Sequence, residues 1–240
     1  MGRVKIAKKS TFIDMTAMSD VTVLLLTFFM LTSTFLSKEP TTVITPPSVS
    51  PEKVQETNFV QVLVNPEGKV WLSMNNDTSK NWSNEKMRMA LLDKVSEIYN
   101  ESHKNKISFT QEQKYAFSKL GTFGVPLNQM GAFLDLASQQ EGQTQMDKWL
   151  EGDGNPNHTS GIPISWNENE QQPNEFQMWM KAMRQTDNDN LAQAIKDGSG
   201  VAIKADQNTA FDVIHMVMDN LQTIHMNKFT LLTALKGAEE

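Results

Sequence analysis

Asp20 heads the only long apolar run in the chain, and it is the side chain best placed by its surroundings to do chemistry. From Val21 to Leu36, "VTVLLLTFFMLTSTFL", every residue is apolar or carries only a hydroxyl. A carboxyl at the centre of a bilayer costs roughly 2.5–3.5 kcal/mol on insertion scales, so acids there face a protein interior and often relay protons. With 100° per residue, Thr16, Thr27 and Thr34 fall within about 40° of Asp20 on a helix. The acid thus heads a stripe of hydroxyls. Thr27 and Thr34 repeat at seven residues, the spacing of a helix-packing seam. Two plainer readings stand beside this one. Asp20 could cap a helix that begins at Val21, and the threonines could bond their own backbone carbonyls. The capping reading leaves 16 residues, about 24 Å at roughly 1.5 Å per residue, which is short for a span.

Other chemistry is hard to find. The chain has no cysteine, which removes disulfides, thiol nucleophiles and cysteine-ligated metals. Its four histidines, His103, His158, His215 and His225, show neither H-x-x-x-H nor H-E-x-x-H spacing. No G-x-S-x-G and no phosphate loop occurs. Asp187 and Asp189 read as helix caps or loop solvation. The expectation is a protein that is not an enzyme and uses no metal or cofactor. Charge narrows the partners. Residues 1–14 carry +3, leaving −9 for the rest of a chain whose net charge is −6. So acidic a main body excludes a nucleic-acid partner, which needs a basic footprint.

The elements that must position Asp20 follow from length and charge. Residues 15–36 are 22 residues, about 33 Å as a helix at roughly 1.5 Å per residue, against a hydrocarbon core of about 30 Å. The expectation is a single transmembrane helix over 15–36. Arg3, Lys5, Lys8 and Lys9 precede it, so the basic stretch 1–14 stays in the cytoplasm and the remainder is exported. A cleaved signal peptide is the rival, but its apolar region would be shorter and end in a small-x-small site. One helix cannot enclose its own acid. A single-span protein with a buried carboxyl is expected to be a subunit of a larger membrane complex.

The stretch "MTAMSDVTVLLLTFFMLTSTF" resembles the signature of the ExbD/TolR family, roughly M-T-P-x-x-D-V-x-x-x-L-L-x-F-F-M. Met15, Thr16, Asp20, Val21, Leu25, Leu26, Phe28, Phe29 and Met30 stand where the pattern puts them, and Ala17 replaces the usual proline. The resemblance implies a subunit in the inner membrane of a Gram-negative bacterium, passing through it once with its C-terminal domain in the periplasm. It implies a homodimer whose two helices sit inside a ring of multi-span ExbB-like proteins. It implies that Asp20 translocates protons and that the proton motive force is passed to a TonB-like periplasmic protein serving outer-membrane transport. A TolR-like envelope-integrity motor is the near alternative. A non-enzymatic, membrane-anchored periplasmic binding module, with Asp20 merely capping a helix, is the distant one.

Downstream, residues 37–57 hold Pro40, Pro46, Pro47 and Pro51 and read as an extended tether. It is either a plain spacer or a segment in which Val43 and Ile44 pair as a strand with a partner. Val43 to Pro46 resembles the short apolar-plus-proline stretch of the family's tether, which makes Val43, Ile44 and Pro46 candidate partner contacts. Residues 58–240 are expected to form an α+β domain. "NFVQVLVNPEGKVWLS" is a hairpin, 83–100 an amphipathic helix, "GVAIKAD" a buried strand, "NTAFDVIHMVMDNLQTI" a second helix and "KFTLLTAL" a last strand. This order resembles the family's periplasmic domain, a small sheet with helices on one face.

Residues from about 101 to 199 interrupt that order as a mostly helical insertion. Thr110 and Gln113 form a capping box, Gly121 is a stop and Pro126 opens another helix. Phe176, Trp179, Met180 and Met183 make one apolar helix face, expected to pack in a core. The polar run 141–173, with its glycines and prolines, reads as loop.

Overall fold

Eighteen consecutive residues without glycine or proline, Met15–Thr32, form helix α1 in the computed structural model. The structure describes residues 15–32, 39–48, 57–75, 84–186 and 189–235. The chain divides into two units, Met1–Ser37 and Lys38–Glu240.

In the second unit, β1 (Pro47–Ser48) is followed by the expected hairpin, β2 (Phe59–Val64) and β3 (Val70–Asn75). Its turn is held by Gly68 N–H donating to the Asn65 carbonyl at 3.0 Å and Lys69 N–H donating to Asn65 Oδ1 at 2.8 Å. Helix α2 (Asn84–Ser102) buries Met87, Leu91, Leu92 and Val95. The insertion then supplies α3 (Gln111–Lys119), β4 (Thr122–Phe123), α4 (Leu127–Asp135), α5 (Gly142–Glu151), α6 (Glu175–Arg184) and α7 (Asp189–Asp197). After it come β5 (Val201–Ala205), α8 (Phe211–Thr223), β6 (Thr230–Leu231) and β7 (Ala234–Leu235). The fold is mixed α+β.

The main sheet has the order β4-β3-β2-β5-β6. β2 pairs antiparallel with β3 and parallel with β5, in the register Val60↔Val201, and β5 pairs parallel with β6. Val60, Val62 and Val64 share one face with Leu72 and Ile203, all buried. Leu63, Trp71 and Lys204 lie on the other face, and Leu63 and Trp71 are buried too.

Two sequence expectations change here. The sheet has an edge strand, β4, that belongs to the insertion and pairs with β3 at Leu72↔Phe123. At two residues it is too short to leave a periodic signal. The polar run 141–173 begins with a full helix, α5. Met146, Trp149 and Leu150, at i, i+3 and i+4, are its buried face, and the surrounding polar residues are simply its solvated side. Gly152, at φ +97°, ends it.

The insertion is built into the core. Phe117, Phe123 and Trp179 form a ring cluster with centroids 4.7–5.8 Å apart, and Phe176, Trp179, Met180 and Met183 are fully buried. The Thr110–Gln113 capping box forms at α3, and Asn174 with Gln177 makes a second at α6. Helix α4 begins at Leu127 behind Pro126, and its capping group comes from α6: Leu127 N–H donates to Glu175 Oε2 at 2.8 Å. Burial pushes the Glu175 carboxyl up, and that hydrogen bond opposes the push.

Candidate functional site

Asp20 lies within the second turn of α1 rather than at its N-cap, and its side chain is exposed, as are those described around it on this helix. The hydroxyls follow the local alternative. Thr27 donates to the Leu24 carbonyl at 2.9 Å, Thr22 to the Met18 and Ser19 carbonyls at 3.0 and 2.8 Å, and Ser19 to Met15 at 2.8 Å. Such bonds satisfy a hydroxyl without a partner helix. Helical geometry keeps Thr16 and Thr27 on Asp20's side, with Leu24 and Leu31 flanking Asp20 on its other side. Beside that face runs a shallow apolar groove formed by Val21, Leu24, Phe28 and Leu31. Thr34 lies outside the described residues.

The expected span over 15–36 is described only as far as Thr32. α1 is 18 residues, about 27 Å at roughly 1.5 Å per residue, and residues 33–36 lie outside the described part. Among the described residues no helix is long and apolar enough to cross a membrane. The polar side chains of α1, Thr16, Ser19, Asp20 and Thr22, stand in its first two turns.

The first part of the tether, 39–48, is not a free spacer. It is held by the chain's own domain. Glu39 accepts from Lys204 Nζ through both carboxylate oxygens at 2.7 Å. Because Lys204 shares its face with Leu63 and Trp71, this segment runs over the sheet face opposite Val62. Pro40 and Val43 are buried, and Val43 joins the core. Ile44 N–H donates to Asp206 Oδ2 at 2.8 Å, and the Ile44 carbonyl accepts from Gln207 N–H at 2.8 Å. The Pro46 carbonyl accepts from Ala234 N–H at 3.0 Å, and β1 then pairs with β7. Val43 and Ile44 therefore make their contacts within the chain, while the Ile44 side chain remains 57% exposed.

Asp206 organises this junction. Besides Ile44 it accepts from Asn208, backbone N–H at 2.9 Å and side chain at 3.1 Å. The N–H groups of Asn208 and Ile44 hold its carboxyl below the ordinary carboxylate range. Sequence reasoning singled out neither Lys204 nor Asp206 as site residues. The signal was there in part, since Asp206 ends a buried strand and begins a turn, but their partners lie far away in the chain.

His215 packs its ring against Phe211 and Trp166, and His158 stacks on Trp149 with Asp153 Oδ2 at 2.6 Å. Among the described residues no group of His, Asp and Glu side chains gathers to hold a metal ion. The sequence profile of a family described as Biopolymer transport protein ExbD/TolR matches residues 7–236. No curated protein and no solved structure matches the chain. The match runs through α1, the tether, the sheet and the insertion alike, and the chain belongs to the ExbD/TolR family.

Proposed function

We propose that this chain is the proton-driven subunit of an ExbB–ExbD-type inner-membrane motor that powers TonB-dependent transport at the outer membrane. Family membership supports the coarser role, energy transduction in biopolymer transport at the inner membrane. The observation that carries the finer one is Asp20, a carboxyl on a helix whose other side chains are apolar or carry only a hydroxyl, at the family's motif position.

The residues 1–14 stay in the cytoplasm, α1 and the residues after it enter the bilayer, and 38–240 are exported. The polar load of α1 that a lipid-facing helix tolerates poorly is tolerable when protein surrounds it. Two copies of α1 inside a ring of ExbB-like subunits give that enclosure. Asp20 takes up a proton from one side, crosses the enclosed path neutral, and releases the proton where water reaches it. The Thr16 and Thr27 side of α1 faces that path. Each charge moved is worth about 2.3 kcal/mol per 100 mV of membrane potential. A few protons therefore suffice to drive a mechanical step. The exposed Ile44 side chain, with Pro46, is the tether's contact for the TonB-like partner, while Val43 is buried in the chain's own core.

The test is Asp20→Asn in cells. Proton-dependent uptake is expected to fall to background while the variant still co-purifies with the ExbB-like subunit. Uptake at the parent level would defeat the motor and leave a membrane-anchored binding module.

A further inference from the structure

The unit Lys38–Glu240 carries a net charge of −8, yet one pocket on it is basic. Arg184, Lys196, His225 and Lys228 line a cavity of about 320 Å³ whose floor includes Ile195 and Met226, 4% and 3% exposed. Among the described residues neither lysine makes a hydrogen bond or an ion pair, and Arg184 donates only to the Ile224 carbonyl, at 2.6 Å. Of the neighbouring acids, one pairs with the pocket's own His225 and one is engaged along α7. Glu170 lies 3.4 Å from His225 and 3.9 Å from Lys181, and Asp197 accepts from Gln193 at 3.0 Å.

Cations also gather where helices end, to offset the partial negative charge there, and α7 and α8 both end at this pocket. Several carbonyls at those ends already have donors. Ala194 accepts from Gly198 and Gly200, Leu221 from Met226, and Gln222 from His225. The lysines are not recruited to cap them. Gly198, at φ +92°, leaves the space that the Lys228 stem fills, so the backbone makes room for that cation.

We propose that this pocket binds a phosphomonoester dianion carried on a small apolar stem. Three cations with no carboxylate partner among the described residues suit a dianion better than a carboxylate, the guanidinium presents a fork to two phosphate oxygens, and the Ile195–Met226 floor takes the stem. The size is that of a small-ligand site. The source is either a soluble phosphate ester or a lipid phosphomonoester headgroup. The site is separate from Asp20 and stands without the motor reading.

The test uses the full ¹⁵N-labelled chain in detergent micelles. It is titrated with phenyl phosphate, with dihexanoyl phosphatidic acid and with benzoate, reading the amides of 195–198 and 225–228. Saturable shifts at those amides with the phosphate esters are expected, with benzoate clearly weaker. Lys196→Gln and Lys228→Gln should each weaken binding about tenfold, whereas Lys104→Gln/Lys106→Gln should not change it. Tighter binding of the phosphatidic acid marks the lipid source, and tighter binding of phenyl phosphate the soluble one. No saturable shift with either ester, equal affinity in the Lys→Gln variants, or benzoate binding as well as phenyl phosphate would each overturn the proposal.

Discussion

Two aspartates show what a single residue reveals of itself. Asp20 is conspicuous in the sequence because the run from Val21 to Leu36 after it is apolar or carries only hydroxyls. Asp206 is not, because the Ile44 N–H it accepts from is 162 residues away. Its carboxyl is held low by hydrogen bonds to the ionised form. A depressed folded value means the contribution is fully present above the ordinary carboxylate pKa of about 3.9 and is lost as pH falls through the lower, folded value. The tether should therefore stay docked at neutral pH and loosen in strong acid. Asp206→Ala should loosen it at any pH, raising hydrogen exchange at the Ile44 amide about tenfold. Unchanged protection of that amide would show that Val43 and the β1–β7 pairing hold the segment without Asp206.

Elements were legible where they carry a long periodic face or a cap. The hairpin, α2, α8, the Thr110 box and the α6 stripe all announce themselves by spacing. Helix α5 does not, since its three apolar residues sit among polar ones, and β4 is too short to show any alternation. What no local pattern shows is how α6 is fastened to α8. Gln177 and Asn220, both fully buried, do this. Asn174 Nδ2 donates to Asn220 Oδ1 at 2.6 Å, Gln177 Nε2 to the Asn220 carbonyl at 3.4 Å, and Asn220 Nδ2 to the Ser165 and Met216 carbonyls at 3.0 and 2.7 Å. Asn220→Leu keeps the branched shape but removes the bonds made by the Asn220 side-chain amide, so a loss of about 1–3 kcal/mol is expected in urea denaturation. Gln222→Ala, exposed on the same helix, should stay within about 0.5 kcal/mol.

For the molecule as a whole, the insertion is part of the domain. Replacing 101–199 with a short linker removes β4 and the buried Phe117, Phe123 and Trp179. Each large aromatic is worth about 3–5 kcal/mol on truncation to alanine, against a typical total stability of about 5–15 kcal/mol. The deletion should abolish cooperative thermal unfolding, followed by near-ultraviolet circular dichroism. A sharp transition near the parent's would show that the rest of the sheet stands alone.

The pairing of Val60 with Val201 has a cost in time. β2 emerges early and β5 only after roughly 140 further residues, and such distant contacts close late. Until then the hairpin waits with one flank bare, inviting any other extended peptide. A chain threaded outward through a bilayer meets that interval on the far side. It is there, during biogenesis, that a holding chaperone would matter most.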